Sequence, residues 1–386
     1  MPTTKTKNFL YSLALPLFSI PIPAQPVLRT EGRSLVNPKE LAGIIRRYRI
    51  TGGAIALQGE GGKACVFTKA VHTGKEPGQD TYYRVASITK MAAALVCTIL
   101  MDQGILNHKK PVSEMLPESC RHLPELSGIT LGHLLSHTSG LTDPPDLEGL
   151  LLRRAPLEIA LAGRRTAEPG KAFCYSNLGF GLVGSILESV FSLPVEQVFR
   201  RFLFSPLALD ATLEGASVDE QSVMPVKRIL SFRPSDAVTV TKLGRIPLNT
   251  ADPEYHYGYT AGSMYITLPS LVRLTECIRD RGKPLVSGRY SEYMVAESAR
   301  YGKISPSLSY GHGLLRILDP KISGSLVCGH QGFAYGCVDG AFWEESTGSI
   351  LVSLNGGCSE ERTGRLGRAN FSLCRFAFRK EIPQWK

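Results

Sequence analysis

The chain has 386 residues, enough for two domains of ordinary size. It is 43% hydrophobic and 20% charged and contains no low-complexity block, which excludes a disordered or fibrous protein. Its formal charge of +10 is concentrated at the ends, because residues 1–28 carry +2 and residues 362–386 carry +6. The nearly neutral body between them argues against a nucleic-acid partner, since a nucleic-acid-binding domain concentrates lysine and arginine on its working face.

The N-terminus, residues 1–28, predicts an export signal or a membrane anchor. Lys5 and Lys7 give it a basic beginning, and residues 9–22 are apolar apart from two serines and two prolines. This run is shorter than the roughly 18 apolar residues of a membrane span. A secretory signal is therefore favoured, although small residues are missing at the expected cleavage site. The alternative is a leader that is disordered or packed on the surface.

The nine cysteines favour a different location. Their number is odd and no Cys-x-x-Cys spacing occurs, so the sequence predicts neither a disulfide framework nor a zinc site. Most of them lie in apolar stretches and are expected to be small buried side chains. Free thiols are typical of a reducing compartment, which makes a cytoplasmic location the alternative to export.

The first elements in chain order are a helix, three strands and a second helix. Gly-bounded apolar segments predict antiparallel strands joined by turns. The second helix begins near Ser87, and because it is apolar nearly all round we expect it to be buried at the centre of the fold. The predicted bounds are helix 38–49, strands 52–58, 63–71 and 81–86, and helix 87–103.

Helix signals dominate the middle of the chain, and strand signals return after residue 310. This order predicts an α+β protein in which residues 29–129 and 265–386 form one sheet domain and residues 130–264 form an inserted, mainly helical domain. The predicted elements are helices 130–136, 178–192, 194–203 and 268–281, strands 312–318, 325–330, 333–342 and 348–355, and a terminal helix at about 361–380.

Ser87 and Lys90 are the central candidates for chemistry. In Ser87-Ile-Thr-Lys90, positions i and i+3 lie on one face of a helix, so the amine can reach the hydroxyl. A serine is a good nucleophile when a base takes its proton, and burial lowers the pKa of a lysine so that it can be this base. Backbone N–H groups at the helix N-terminus can stabilise an oxyanion. About one Ser-x-x-Lys is, however, expected by chance in a chain of this length.

A second candidate, Tyr175-Ser176-Asn177, lies on a loop before a predicted helix. A tyrosine hydroxyl beside a lysine can relay protons, and the asparagine amide can hold an amide group of a substrate. The structural alternative makes Asn177 the N-cap of the helix and Tyr175 a packing residue. Both interpretations can hold together.

A third candidate is His330-Gln331-Gly332, on or beside a strand. The glycine would let a substrate lie against the strand edge, and the histidine would supply a donor or a charge. The backbone N–H of Phe333 could complete an oxyanion hole. A similar triplet begins at His72, which we interpret as a hairpin turn.

Taken in order, the three motifs resemble the serine β-lactamase and penicillin-recognising family, most closely its branch of class C β-lactamases, DD-peptidases and esterases. Residues 134–141, 168–179 and 260–267 also resemble the family, and the resemblance covers roughly residues 40–375. It implies a β-lactamase/DD-peptidase-like fold, an antiparallel sheet flanked by helices, with the active site in the cleft between the two domains. The order excludes His72, because the family's third motif follows the tyrosine.

The resemblance also implies roles in acyl transfer. Ser87 would form an acyl-enzyme, Lys90 and Tyr175 would share the base and acid roles, and water would release the product. Asn177 would orient the acyl side chain of the substrate.

On the leaving-group side, the resemblance implies that His330 assists beside Gly332, while the backbone N–H groups of Ser87 and Phe333 bind the oxyanion. Enzymes specialised for β-lactams commonly carry lysine in place of His330, and histidine is mostly neutral at pH 7. This departure lowers the expectation of a bound substrate carboxylate and of strong β-lactamase activity.

The sequence therefore predicts a serine hydrolase of amide or ester bonds. It would act on D-amino-acid peptides, peptidoglycan-like fragments or small esters, as a D-Ala-D-Ala carboxypeptidase or an esterase, without a cofactor or metal. The alternatives are a catalytically weak β-lactam or cell-wall sensor on the same scaffold, and acyl transfer to an acceptor other than water. The oligomeric state is not predicted.

Two further patterns carry alternatives. His133 and His137 have the i, i+4 spacing of a metal-binding pair, but no glutamate follows His133 and a full ligand set is missing. The basic and apolar terminal helix is expected to dock on the sheet. Its alternative is contact with an anionic membrane surface or the cell wall.

Overall fold

The structure, a computed structural model, describes residues 28–32, 37–228 and 237–379 together with the single residue Leu13. The predicted leader lies outside the described residues except at Leu13 and Leu28, so export stays a prediction. The strands are β1 (Arg29–Gly32), β2 (Ala54–Gly59), β3 (Gly62–Phe67), β4 (Tyr82–Arg84), β5 (Ala211–Thr212), β6 (Tyr265–Thr267), β7 (Ala299–Arg300), β8 (Leu308–Tyr310), β9 (Leu315–Ile317), β10 (Val327–Ala334), β11 (Cys337–Glu344), β12 (Ile350–Leu354), β13 (Arg362–Thr363) and β14 (Leu366–Gly367). The helices are α1 (Pro38–Tyr48), α2 (Thr89–Asp102), α3 (Glu118–Arg121), α4 (Leu131–Leu135), α5 (Leu147–Leu152), α6 (Leu157–Leu161), α7 (Asn177–Phe191), α8 (Val195–Phe199), α9 (Tyr259–Gly262), α10 (Leu268–Arg279) and α11 (Arg368–Phe378), besides a π-helical turn at Arg200–Phe204 and short 3₁₀ turns.

The main sheet is antiparallel throughout and draws its strands from both ends of the chain. Within the described ranges it has nine strands, in the order β1-β3-β2-β12-β11-β10-β9-β8-β7. Most helices lie between β4 and β6 in the sequence. The α+β class is thereby confirmed, while the predicted domain boundaries after residues 129 and 264 stay a prediction.

Alternation along β2 separates two hydrophobic cores on opposite faces of the sheet. Ala54 and Ala56 belong to the core shared with α2 and α10, whereas Ile55 and Leu57 belong to the core shared with α1 and α11. The terminal helix therefore packs its apolar side on the sheet, as the docking interpretation predicts.

The central helix α2 is buried from Thr89 to Met101, which confirms the prediction for residues 87–103. A 3₁₀ turn, Ala86–Ile88, precedes it and packs against β10 and α9. Gly104 follows the end of the helix, and its φ of 74° suits a helix stop. This arrangement holds the beginning of the most buried helix beside strand β10.

Two predicted boundaries near the C-terminus are wrong. β10 continues through Gly332, and the turn before β11 falls at Tyr335 and Gly336, whose φ angles are 56° and 107°. The terminal helix begins at Arg368, because residues 362–367 form the hairpin β13–β14. The predicted bounds leave a break between residues 330 and 333, yet a glycine such as Gly332 also occurs inside a strand where a neighbour excludes a side chain.

The strand predicted at 81–86 joins a different sheet from the one expected. β4 pairs with β6 in a three-stranded sheet, β4-β6-β5, and not with β3. The segment at His72 is a turn closed by a hydrogen bond from Gly74 N to the Ala70 carbonyl, but it is not a hairpin. Since β5 comes from the middle of the chain, this small sheet ties the helical part to the strand that leads into Ser87.

No single helix in the part of the chain that the structure describes is long and apolar enough to cross a membrane; one bent pair, Asn177–Phe191 with Val195–Phe204, meets that test by length and composition. The nine cysteines are free thiols, and seven of them are buried.

Candidate active site

Ser87 lies in the tight turn that precedes α2. Its neighbour Ala86 has a φ of 46°, a left-handed conformation that non-glycine residues rarely adopt. Strand β10 packs closely against this turn, because a Cβ on Gly332 would lie 2.3 Å from the carbonyl oxygen of Val85. The missing side chain of Gly332 thus faces the serine turn, which gives this glycine a packing reason, while its expected contact with a substrate stays a prediction.

The amine of Lys90 is completely buried beside Ser87. Its Nζ lies 3.1 Å from Ser87 Oγ, 2.9 Å from Asn177 Oδ1 and 2.6 Å from the carbonyl oxygen of Ala261 in α9. The amide and carbonyl oxygens can only accept hydrogen bonds. In a neutral amine the two N–H bonds therefore point at these oxygens, and the nitrogen lone pair faces the serine hydroxyl.

The electrostatic surroundings favour that neutral amine. Burial lowers the pKa of Lys90 to about 7, while the Asp143 carboxylate raises it and the Arg84 guanidinium lowers it by smaller amounts. Near neutral pH a substantial fraction of Lys90 is therefore uncharged, as a general base must be.

Tyr175 joins the same cluster. Its ring centre lies 5.0 Å from Lys90 Nζ, and the Ser87 side chain is close enough to the hydroxyl to lower the pKa of Tyr175 slightly. The His137 ring packs on the tyrosine with centroids 4.1 Å apart. Burial raises the pKa of Tyr175, so its hydroxyl keeps the proton at neutral pH. The fold thus brings His137 and Tyr175 to the Ser87 and Lys90 pair, from which both lie far apart in the sequence.

Asn177 is the first residue of α7, and its amide links two ionisable side chains. Oδ1 faces Lys90, and Nδ2 donates to Asp143 Oδ2 at 2.8 Å. The N-cap of the helix is Ser176, whose Oγ accepts a hydrogen bond from the backbone N–H of Gly179. The interpretation of Asn177 as the cap is therefore wrong. Its side chain instead lines the cleft and contacts Lys90 and Asp143.

His330 is buried and neutral. Its Nδ1 donates to the carbonyl oxygen of Gln331 at 2.7 Å, which leaves Nε2 to accept the hydroxyl proton of Tyr310 at 3.0 Å. Burial and, to a smaller extent, the positive charge of protonated Lys90 lower its pKa to about 3. His330 therefore supplies no positive charge at neutral pH, and both of its ring nitrogens are occupied within the protein.

The histidine pair considered for a metal has other partners. Nδ1 of His133 accepts the backbone N–H of Thr130 in a capping box at the beginning of α4. Nδ1 of His137 accepts the backbone N–H of Ser176 at 3.1 Å. His137 has a φ of 57°, outside the helix, so the i, i+4 geometry is broken. His137 thereby supports the loop that carries Tyr175.

A cleft of about 790 Å³ opens over the cluster and is bordered by Ser87, Tyr175, Asn177, His330 and Phe333. Phe333 follows the serine-facing Gly332 on β10, so its backbone N–H lies on the strand that packs against the Ser87 turn. The charged side chains of the described wall are Arg84, Glu148, Arg228, Arg362 and Arg365.

The hairpin β13–β14 carries two of these arginines and is fixed to β10 by Gln331. Gln331 Nε2 donates to the carbonyl oxygen of Arg365 at 2.7 Å, and its Oε1 accepts the backbone N–H of Gly367 at 3.0 Å. The guanidinium of Arg362 lies 4.2 Å above the ring of Phe333. Sequence reasoning missed this hairpin, because residues 362–367 were included in the terminal helix.

The match to a family model agrees with this fold and cleft. Residues 39–341 match the family model described as Beta-lactamase. The chain belongs to the beta-lactamase family of hydrolases.

Relatives and solved structures in this family have several activities in their names. The D-alanyl-D-alanine-carboxypeptidase/endopeptidase AmpH of Escherichia coli (strain K12) is 30% identical over 37% of this chain and 40% of its own length. Esterase EstB of Burkholderia gladioli is 30% identical over 35% of this chain and 39% of its own length. The chain thus spans well under half the length of these two curated relatives.

A solved structure resembles the fold of this chain. D-amino acid amidase from Ochrobactrum anthropi SV3, complexed with D-phenylalanine, superposes with a TM-score of 0.66 over 87% of this chain and 97% of that one. At 20% identity this likeness shows the fold alone.

Proposed function

We propose that the protein is a serine hydrolase that forms an acyl-enzyme on Ser87 and cleaves amide or ester bonds. The observation that carries the proposal is the environment of Lys90 Nζ. Two oxygens that only accept hydrogen bonds, from Asn177 and Ala261, occupy its N–H bonds and leave its lone pair facing Ser87 Oγ. This is the arrangement that a general base needs to activate a serine.

In the first half of the reaction, Ser87 Oγ bonds to the substrate carbonyl carbon while its proton passes to Lys90 Nζ. The carbonyl oxygen becomes an oxyanion, bound by the backbone N–H groups of Ser87 and Phe333. Tyr175, still protonated, donates its proton to the leaving nitrogen or oxygen as that bond breaks, and it regains a proton from Lys90. The amine or alcohol leaves, and the acyl-enzyme remains.

In the second half, water takes the place of the leaving group. It gives one proton to the Lys90 and Tyr175 pair, its oxygen bonds to the acyl carbon, and Ser87 Oγ leaves with that proton. The product is a carboxylic acid, and the enzyme returns to its initial state. Transfer to another acceptor would follow the same steps with a different nucleophile.

The substrate class that we propose is a D-amino-acid peptide, a peptidoglycan-like fragment or a small ester. The cleft wall of the described residues carries four arginines against one glutamate, and Arg228 has a partner in Glu360 at 3.3 Å. These arginines favour substrates with a carboxylate, a charge that neutral His330 does not attract. A D-Ala-D-Ala peptide fits this better than a neutral ester.

The test of the acyl-enzyme is covalent labelling. A fluorescent β-lactam and a fluorescent phosphonate are incubated with the protein, and the adduct is located by mass spectrometry. We expect an adduct on Ser87 that is absent in Ser87→Ala. A folded protein that reacts with neither reagent contradicts the proposal and favours the alternative, a weak sensor on the same scaffold.

A substrate screen then distinguishes the classes. D-Ala-D-Ala peptides, short-chain p-nitrophenyl esters and a chromogenic cephalosporin are compared by kcat/KM. We expect the peptide or the ester to be turned over faster than the cephalosporin. A cephalosporin rate above both others contradicts the expectation of weak β-lactamase activity.

A further inference from the structure

Asp143 gathers three hydrogen bonds from the beginning of α7, although it is part of neither a helix nor a strand. Its Oδ1 accepts from Ser176 Oγ at 3.0 Å and from the backbone N–H of Leu178 at 2.8 Å. Its Oδ2 accepts from Asn177 Nδ2 at 2.8 Å. One carboxylate thus holds three consecutive residues of the segment that carries Tyr175.

The contact with Asn177 fixes which end of its amide faces Lys90. An ionised carboxylate only accepts hydrogen bonds, so the NH₂ end of the amide must face Asp143. The amide oxygen then faces Lys90 Nζ, at 2.9 Å. If the amide were turned over, its NH₂ end would donate to the lysine lone pair and draw it away from Ser87.

We propose that Asp143 is a positioning residue of the active site: it holds the Asn177 amide in the one orientation that leaves the Lys90 lone pair directed at Ser87 Oγ. The inference rests on the proposed function of Lys90 as the base. It assigns to Asp143 no contact with the substrate.

The charge of Asp143 gives this role a signature that a purely structural role lacks. The groups that face Lys90 are Arg84 from β4, Tyr175 from the loop before α7, and His137 and His330, which burial keeps neutral. Asp143 opposes the effects of burial and of Arg84 and raises the pKa of Lys90. Removing its charge while keeping its shape should therefore lower the pH at which Lys90 loses its proton.

The experiment is the pH profile of kcat/KM for Asp143→Asn, with a substrate that the wild-type protein turns over. We expect the plateau to fall at least tenfold, because an asparagine at 143 can present a donor and let the Asn177 amide turn over. We also expect the acidic limb to move to lower pH by roughly half to one unit, the effect of one charge several ångströms away in protein surroundings. The lower plateau reduces kcat/KM at every pH, whereas the shifted limb increases the fraction of neutral Lys90 at low pH. A loss of folded protein would lower kcat/KM but would not shift the limb.

Asp146→Asn is the matched control. Asp146 caps α5 by accepting the backbone N–H of Gly149 and pairs with Arg153 at 3.0 Å on the exposed surface. We expect the wild-type plateau and limb for this variant. Asp143→Glu, which keeps the charge, is expected to restore the limb to its wild-type pH even where the plateau stays low.

Two outcomes overturn the inference. The first is a profile of Asp143→Asn that matches the wild type in plateau and limb. The second is a lower plateau with an unmoved limb, which would make Asp143 a structural cap only. A wild-type protein that is never acylated on Ser87 would contradict the proposed function instead, so the two failures are distinguishable.

Discussion

Lys90 Nζ lies 3.1 Å from Ser87 Oγ across one turn at the beginning of the most buried helix of the structure. The serine sits at the rim of the cleft and the lysine below it, fully buried. Burial distinguishes this pair from two exposed residues at helical spacing, since it lowers the pKa of Lys90 to about 7.

Replacing Lys90 with alanine is expected to lower kcat by at least ~100-fold, the smaller effect of a lost acid–base group. Steady-state kinetics with the best substrate of the screen measure this, and circular dichroism checks that the variant is folded. Lys110→Ala is the control, because Lys110 forms only an exposed pair with Glu114 at 3.7 Å. Turnover of Lys90→Ala at the wild-type rate would rule out the mechanism.

Tyr175→Phe is expected to lower kcat by at least ~100-fold as well, because the leaving group loses its proton donor. The control is Tyr48→Phe, which removes a hydroxyl bonded to Ser372 at 2.9 Å in the core on the other face of the sheet. We expect near wild-type kinetics for the control. Equal kinetics of the two variants would exclude Tyr175 from proton transfer.

The rate should rise with pH through about 7. Lys90 acts as a base only when neutral, and its pKa of about 7 places the acidic limb of kcat/KM there, with a plateau above. His330 contributes no limb in this range, since burial lowers its pKa to about 3. The measurement is kcat/KM between pH 5 and 9. A rate that is constant or falls over this range contradicts the assignment of the base.

Arg365→Gln should affect charged and neutral substrates differently. Hydrogen bonds to charged groups contribute about 1.5–3 kcal/mol, so we expect kcat/KM for a D-Ala-D-Ala peptide to fall roughly 10- to 100-fold. The same peptide with an amidated C-terminus should be nearly unaffected. Arg365→Lys, which keeps the charge, is expected to retain part of the activity. An equal loss of kcat/KM on both peptides would mean that Arg365 does not bind the substrate carboxylate.

Gly332→Ala should lower activity by displacing the backbone around Ser87, and not by removing a side chain that contacts the substrate. The added Cβ would lie 2.3 Å from the Val85 carbonyl oxygen, so β10 or the Ser87 turn must shift. We expect a fall in kcat of at least tenfold and a lower Tm by thermal denaturation. Gly324→Ala is the control, because an added Cβ there meets open space. A fully active Gly332→Ala would show that the close approach has no part in holding the turn.

The sequence by itself predicted the α+β class, the buried helix after Ser87 and the sheet built from both ends of the chain. These features follow from patterns that stay local, such as the apolar run of α2 and the Gly-bounded apolar segment that forms β2. The three motifs were found because each is a short run of unusual residues in a fixed order.

Tertiary structure alone decided the rest. Asp143 and Arg365 have no local signal, because only the fold brings the loop of Asp143 beside Asn177 and the hairpin of Arg365 beside strand β10. The charge of Lys90 and of His330 likewise depends on burial, which no pattern within the motif specifies. The strand predicted to end at residue 330 likewise continues through Gly332, because the missing side chain makes room there for the turn that holds Ser87.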